Sequence, residues 1–228
     1  NKLPVGTERL TIALTSDLHL GLSDGISRLS RTLKIIKQAK PDIWLDVGDL
    51  WDRPLLDAAR LTAMLAAVKP PLGKYAAFGN HEHYVGLSTS RGLARAAGFK
   101  VLMNQGLKVN GTFNLAGVLS SRGIMPQRDR AALAGLDPQR FTVFLRHRPH
   151  INPETLGSID LQLSGHTHNG QIFPFSLFTR LFYKLHPGLT RLQGNSVAYV
   201  SRGTGTWGPP VRFLSPPEVT LIEIIKKE

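Results

Sequence analysis

The sequence predicts an α/β fold with two sheets, built as one domain over residues 1–228. Three observations carry that expectation: strand and helix patterns alternate through the first third, short apolar runs broken by Gly, Asn and Pro fill the remainder, and no repeat, linker or low-complexity stretch divides the chain. A chain of 228 residues can bury a sizeable core without covalent staples, which suits one that contains no Cys. The lack of Cys also excludes disulfides, thiolate zinc sites, iron–sulfur clusters and cysteine nucleophiles.

Residues 9–16 (RLTIALTS) form a short apolar run suited to a buried strand. Ile26, Leu29, Leu33 and Ile36 then recur at helical spacing, with Arg28, Arg31, Lys34 and Lys37 on the other face and Pro41 as the stop. Residues 42–47 (DIWLDV) are a second strand, 55–68 an Ala/Leu-rich helix closed by Pro70 and Pro71, and 74–78 a third strand. Strand–helix–strand order implies right-handed crossovers and a largely parallel sheet. Further on, 107–109, 113–116, 141–145, 159–163, 197–200 and 219–225 read as strands in hairpins or a mixed sheet.

Lys and Arg total 28 against 16 Asp and Glu, a formal charge of +12. Such a field favours anionic partners: nucleic acid, anionic lipid headgroups or phosphorylated small molecules. The charges form no block, so the field belongs to the folded surface and not to a tail. No apolar run approaches the roughly 18 residues of a membrane span. The chain opens at Asn1 and not at Met, which leaves room for a leader or anchor upstream.

Short polar clusters follow the predicted strands. They are Asp17-Leu18-His19, Gly48-Asp49-Leu50-Trp51-Asp52, Gly79-Asn80-His81-Glu82, His147-Arg148-Pro149 and Gly165-His166-Thr167-His168. In open α/β sheets ligands gather outside the carboxyl ends of the strands, where all five would project. Carboxylates and an amide supply oxygen ligands and neutral imidazoles supply nitrogen, a donor set for hard or borderline divalent metals. Asp17, His19, Asp49, Asn80, His147, His166 and His168 are enough for two metals about 3.5–4 Å apart if one carboxylate, Asp49, bridges them.

In this order the five clusters resemble the calcineurin-like metallophosphoesterase superfamily, with all its metal-ligand positions filled. The resemblance implies a two-sheet α/β/β/α sandwich and a dinuclear centre of Mn, Fe, Zn or Co. It implies that Asp17, His19, Asp49 and His168 hold one ion, and Asp49, Asn80, His147 and His166 the other. Two divalent cations would activate a bridging water for in-line attack on phosphorus. His81 then matches the proton donor to the leaving oxygen. Asp52 matches the carboxylate that orients His81, or is a plain carboxylate at a helix N-terminus. Arg53 follows Asp52 as in the phosphoprotein phosphatases, which makes it a candidate substrate-binding residue, although Pro54 departs from that pattern.

Residues 165–172 (GHTHNGQI) and 199–212 (YVSRGTGTWGPPVR) resemble a membrane-associated bacterial branch of cell-wall-associated phosphodiesterases and UDP-2,3-diacylglucosamine pyrophosphatases. That points to a phosphodiester or pyrophosphate substrate that is a nucleotide, lipid-linked or part of the cell envelope, at the membrane periphery. Arg202 is the candidate phosphate clamp, or an ordinary surface arginine. Residues 172–185 hold five aromatics, two basic residues and no acid. They are either a flap touching a lipid tail or membrane, or a hairpin packed against the domain edge. A nuclease of the same superfamily and a membrane- or anion-binding module with a silent site are the alternatives.

Overall fold

The structure, a computed structural model, describes residues 2, 8–22 and 25–226. Strand β1 (Arg9–Thr15), helix α1 (Gly25–Ala39), β2 (Ile43–Asp46), α2 (Ala58–Ala66) and β3 (Lys74–Ala77) are the alternation read from the sequence. Helix α2 starts three residues later than the pattern predicts. Leu55 and Asp57 take positive φ values of 63° and 55°, which no α-helix accommodates, while Leu56 donates its N–H to Gly21 O at 2.9 Å. Helices α3 (His81–Val85) and α4 (Leu87–Ala96) and strand β4 (Phe99–Leu102) complete the first half.

The second half runs β5 (Gln105–Val109), β6 (Phe113–Gly117), α5 (Pro126–Leu133), β7 (Thr142–Leu145), β8 (Leu161–Ser164), α6 (Phe175–Phe182), β9 (Gly188–Arg191), β10 (Val197–Val200) and β11 (Thr220–Ile225). One sheet has the order β11-β1-β2-β3-β4, with only β11 antiparallel to its neighbour. The other has the order β5-β6-β7-β8-β10-β9; its four central strands are parallel and its two edges are hairpins.

Alternation along the strands makes four layers. Ile12, Leu14, Ile43 and Leu45 face Leu115, Val143, Leu145 and Leu163 across the space between the sheets. Ala13, Trp44 and Ala76 point the other way, onto Leu29, Leu33 and Ile36 of α1, Leu61 and Leu65 of α2, and Ala94 of α4. On the far side Ala116 and Phe144 pack against Ala132 of α5. This is the α/β/β/α sandwich. Residues 172–185 do not form a hairpin; they hold α6, none of whose residues is buried.

Candidate metal centre and the cleft beside it

Each cluster leaves the carboxyl end of a strand: Asp17 and His19 after β1, Asp49 after β2, Asn80 after β3, His147 after β7, His166 and His168 after β8. The first three loops come from one sheet and the last two from the other. Asp17 N–H donates to Gly48 O at 2.8 Å and His19 N–H to Asp49 O at 2.9 Å, which ties the first two loops together. Gly165 is required where the sheets meet, because a Cβ there would collide with the side chains of Ser16 and Asp17.

The side chains converge in two groups that share a neighbourhood. Carboxylate oxygens and ring nitrogens of Asp17, His19 and His168 lie within 4.8 Å of one another, as do those of Asp49, His147 and His166. A third grouping, His19 with Asp49 and His81, joins the two. Nε2 of His19 faces Nε2 of His168 at 3.1 Å, and Nε2 of His147 faces Nδ1 of His166 at 3.1 Å. Asn80 Oδ1 is buried without a hydrogen-bond partner. A buried amide oxygen with nothing to accept and two pairs of opposed ring nitrogens fit a pair of cations, and the mixed O/N donors fit borderline divalent metals.

The outer contacts prepare most of these rings. His147 Nδ1 donates to Val47 O at 2.9 Å, and His19 Nδ1 lies 3.1 Å from Asp52 Oδ2, so in both the Nε2 lone pair faces inward. His168 differs. Arg212 Nη2, which can only donate, stands 3.0 Å from its Nδ1. That guanidinium also bonds the carbonyls of Arg202, Gly203, Gly205 and Ser215, fastening the 202–215 loop to the centre.

Burial works against ionisation of Asp17 and Asp49, but the surrounding imidazoles outweigh it, chiefly His168 for Asp17 and His147 for Asp49, so both carboxyls stay below the usual range. Burial opposes charge on His147 as well, yet Asp49, 3.0 Å from its Nε2, raises it to about 9. Burial and the charge of His147 lower His166 to about 3, and burial lowers His168 to about 4. The last two are thus neutral imidazoles at neutrality, the form that ligates metal.

His81 Nδ1 lies 3.0 Å from Asp52 Oδ2, the atom that also faces His19. Burial disfavours the imidazolium, but Asp52 and Asp49 overcome it and raise the pKa above the ordinary value. Asp52 itself stands six residues before α2 begins at Ala58, so it is not a helix-terminal carboxylate.

Arg202 bonds Glu218 Oε2 through Nε at 2.6 Å and Arg53 donates to Val85 O at 3.1 Å, and neither lines the cleft next to the centre. The arginines that do line that cleft are Arg148, directly after His147, and Arg122. Arg148 Nε is buried without a partner. The cleft has a volume of about 780 Å³ and is also lined by the aromatic rings of Phe175, Phe178, Phe182 and Trp207.

Glu82 is the structural residue the sequence reading passed over. Its carboxylate accepts the backbone N–H groups of Asp49, Leu50, Trp51 and Gly79 at 2.7–3.1 Å, so it fixes the second and third loops. Burial, then Asp49, pushes its pKa up to about 7 against those donors. Its place in Gly-Asn-His-Glu was the available signal, but its partners are backbone groups, which spacing does not reveal.

A family model described as calcineurin-like phosphoesterase matches residues 10–170. The chain is 39% identical over 230 residues to an uncharacterized metallophosphoesterase of Aquifex aeolicus, covering 98% of this chain and 87% of that protein. It is 33% identical to a transmembrane protein with metallophosphoesterase domain from Danio rerio, over 97% of this chain but 54% of the relative. In fold it resembles a 5'-nucleotidase precursor from Thermus thermophilus, with a TM-score of 0.52 at 17% identity, covering 95% of this chain and 54% of that one. Among the described residues no helix is long and apolar enough to cross a membrane. From motif order, fold and sequence match together, the chain belongs to the calcineurin-like phosphoesterase family.

Proposed function

We propose that this chain is a dinuclear phosphodiesterase or pyrophosphatase whose substrates carry an apolar group next to the scissile phosphoryl, as a lipid-linked ester of the cell envelope does. The observation that carries this is the cleft: the donors His19, Asp49, Asn80, His166 and His168 share its lining with the rings of Phe175, Phe178, Phe182 and Trp207 and with Arg122 and Arg148. A purely soluble small anion has no use for the aromatic wall, and an uncharged lipid has no use for the arginines.

Asp17, His19, Asp49 and His168 would hold one divalent ion, and Asp49, Asn80, His147 and His166 the other. Such a pair supplies Lewis-acid charge for the phosphoryl oxygens and an activated water. Everything else falls to the chain. The guanidinium of Arg148 matches two non-bridging oxygens, and takes the role first assigned to Arg202. His81, whose imidazolium Asp52 and Asp49 favour, can deliver a proton to the leaving oxygen, an effect of about 10²–10⁴ in rate. Asp52 is a positioning residue for the His81 and His19 rings. The aromatic wall excludes water from the attacked phosphorus and holds the apolar group.

Hydrolysis of bis-p-nitrophenyl phosphate by Mn-reconstituted protein tests the reading, with p-nitrophenyl phosphate and His81→Ala in parallel. Diester turnover should require metal and fall about a hundredfold or more in the variant. Absence of turnover of either ester by protein shown to hold two metals would overturn it.

A further inference from the structure

The cleft uses only part of the apolar surface beside it. Phe175, Phe178 and Phe182, on one side of α6, line the cleft while remaining 53–79% exposed. Leu177 and Leu181, one helical turn apart on another side, line no part of the cleft, and are 51% and 81% exposed. The loop after Trp207 extends this surface. Phe173 N–H donates to Phe213 O at 3.1 Å and Phe213 N–H to Gln171 O at 3.0 Å, while Gln171 Nε2 bonds Trp207 O at 2.8 Å. Those contacts hold Trp207, Phe213 and Leu214, 55–70% exposed, next to the start of α6. A surface this apolar on a folded chain marks a contact site.

Its charge identifies the occupant. No Asp or Glu occurs between Asp160 and Glu218. Arg180 and Lys184, on and just after α6, are exposed and have no carboxylate partner among the described residues. A helix with bulky apolar side chains, flanked by unpaired cations and free of acids, suits the interface of a bilayer containing anionic lipid, where apolar groups sink about 5–10 Å and basic groups meet headgroups. We propose that α6 and the 207–214 loop together dock this protein on an anionic membrane surface. The mouth of the cleft, rimmed by Phe182 and Trp207, then lies at headgroup level. Docking itself does not depend on the metal centre or on the substrate assigned above.

The test is flotation with vesicles of phosphatidylglycerol and phosphatidylcholine, against vesicles of phosphatidylcholine alone. Wild type should float with the anionic vesicles, and binding should weaken on the order of tenfold for Arg180→Glu/Lys184→Glu. Leu177→Ser/Leu181→Ser should lose it at least as far while its thermal melting is unchanged, which separates docking from folding. The proposal is overturned by no flotation of wild type, by equal binding to neutral vesicles, or by undiminished binding of the leucine double variant. It is equally overturned if the face is buried in a dimer that does not bind vesicles.

Discussion

Asp17, His19, Asp49, His166 and His168 all have positive φ, between 44° and 72°. Left-handed backbone costs about 1 kcal/mol or more at each non-Gly residue, so these five together rival a domain's net stability. The loops hold that conformation through bonds that none of the five makes alone: the four N–H groups on Glu82, the carbonyls gathered by Arg212, and Asp52 between two rings. Asp52→Asn separates positioning from mere support. An amide cannot favour the imidazolium of His81 as a carboxylate does, so the alkaline limb of the kcat profile at saturating metal should move about one pH unit towards acid, with kcat down roughly tenfold or more. Lower kcat with an unmoved limb would reduce Asp52 to a structural role. The ligand candidates were legible because Asp-x-His, Gly-Asn-His-Glu and Gly-His-x-His carry their chemistry in local spacing. Arg148 stands directly after His147 in the sequence, but nothing in the local spacing marks its role. Arg212 is 44 residues from the ring it touches, and only the folded 202–215 loop brings them together.

At the level of elements, the strands legible in the sequence are those with β-branched or aromatic runs between turn residues, and helices α1 and α2 show a clear apolar stripe. Strand β9 (GLTR) carries a single apolar side chain, β4 (FKVL) is interrupted by Lys100, and α4 is diluted by Ser and Gly92. Helix α6 was missed for a different reason. Its aromatics resemble a strand's composition and mask the helical spacing of Phe175, Phe178 and Phe182, and none of its residues is buried. The same property makes its two apolar sides separable. Phe178→Ser/Phe182→Ser should raise KM for a dioctanoyl lipid-linked phosphodiester about tenfold or more, while kcat/KM for bis-p-nitrophenyl phosphate changes less than threefold. Loss of both activities together would mean the aromatics shape the metal loops and not the substrate site. The leucine pair used for docking should leave this KM unchanged when the substrate is presented below its micellar concentration.

For the molecule as a whole, the centre is a seam. Asp17, Asp49 and Asn80 hang from one sheet, while His147, His166 and His168 hang from the other, and Gly205 N–H reaches Asp17 O at 2.9 Å across the join. Two sheets could be read from the sequence; that the candidate ligands clasp them together could not, because strand order across a sandwich leaves no local trace. A metal held by these residues would therefore compete with protons for the same clasp, and stability should report it. His147 rises from 6.5 to about 9 in the folded state, so its contribution is complete below pH 6.5 and is lost as pH climbs through 9. The upward shift of His81 has the same sign, as does that of Glu82 to about 7; His166 and His168, lowered to about 3 and 4, and His150, also lowered, partly oppose them as pH passes 6.5, and Lys74, lowered to about 8, opposes them at higher pH. Chelated protein should thus lose roughly 1–2 kcal/mol between pH 6.5 and 8, several degrees in Tm. Metal bound at His147 replaces that proton, so the loaded protein should show a flatter profile and the gap between the two should widen with pH. Parallel melting curves across this window decide the matter: a chelated Tm that holds or rises towards pH 8 would mean that the Asp49–His147 pair does not carry the proton the geometry assigns to it.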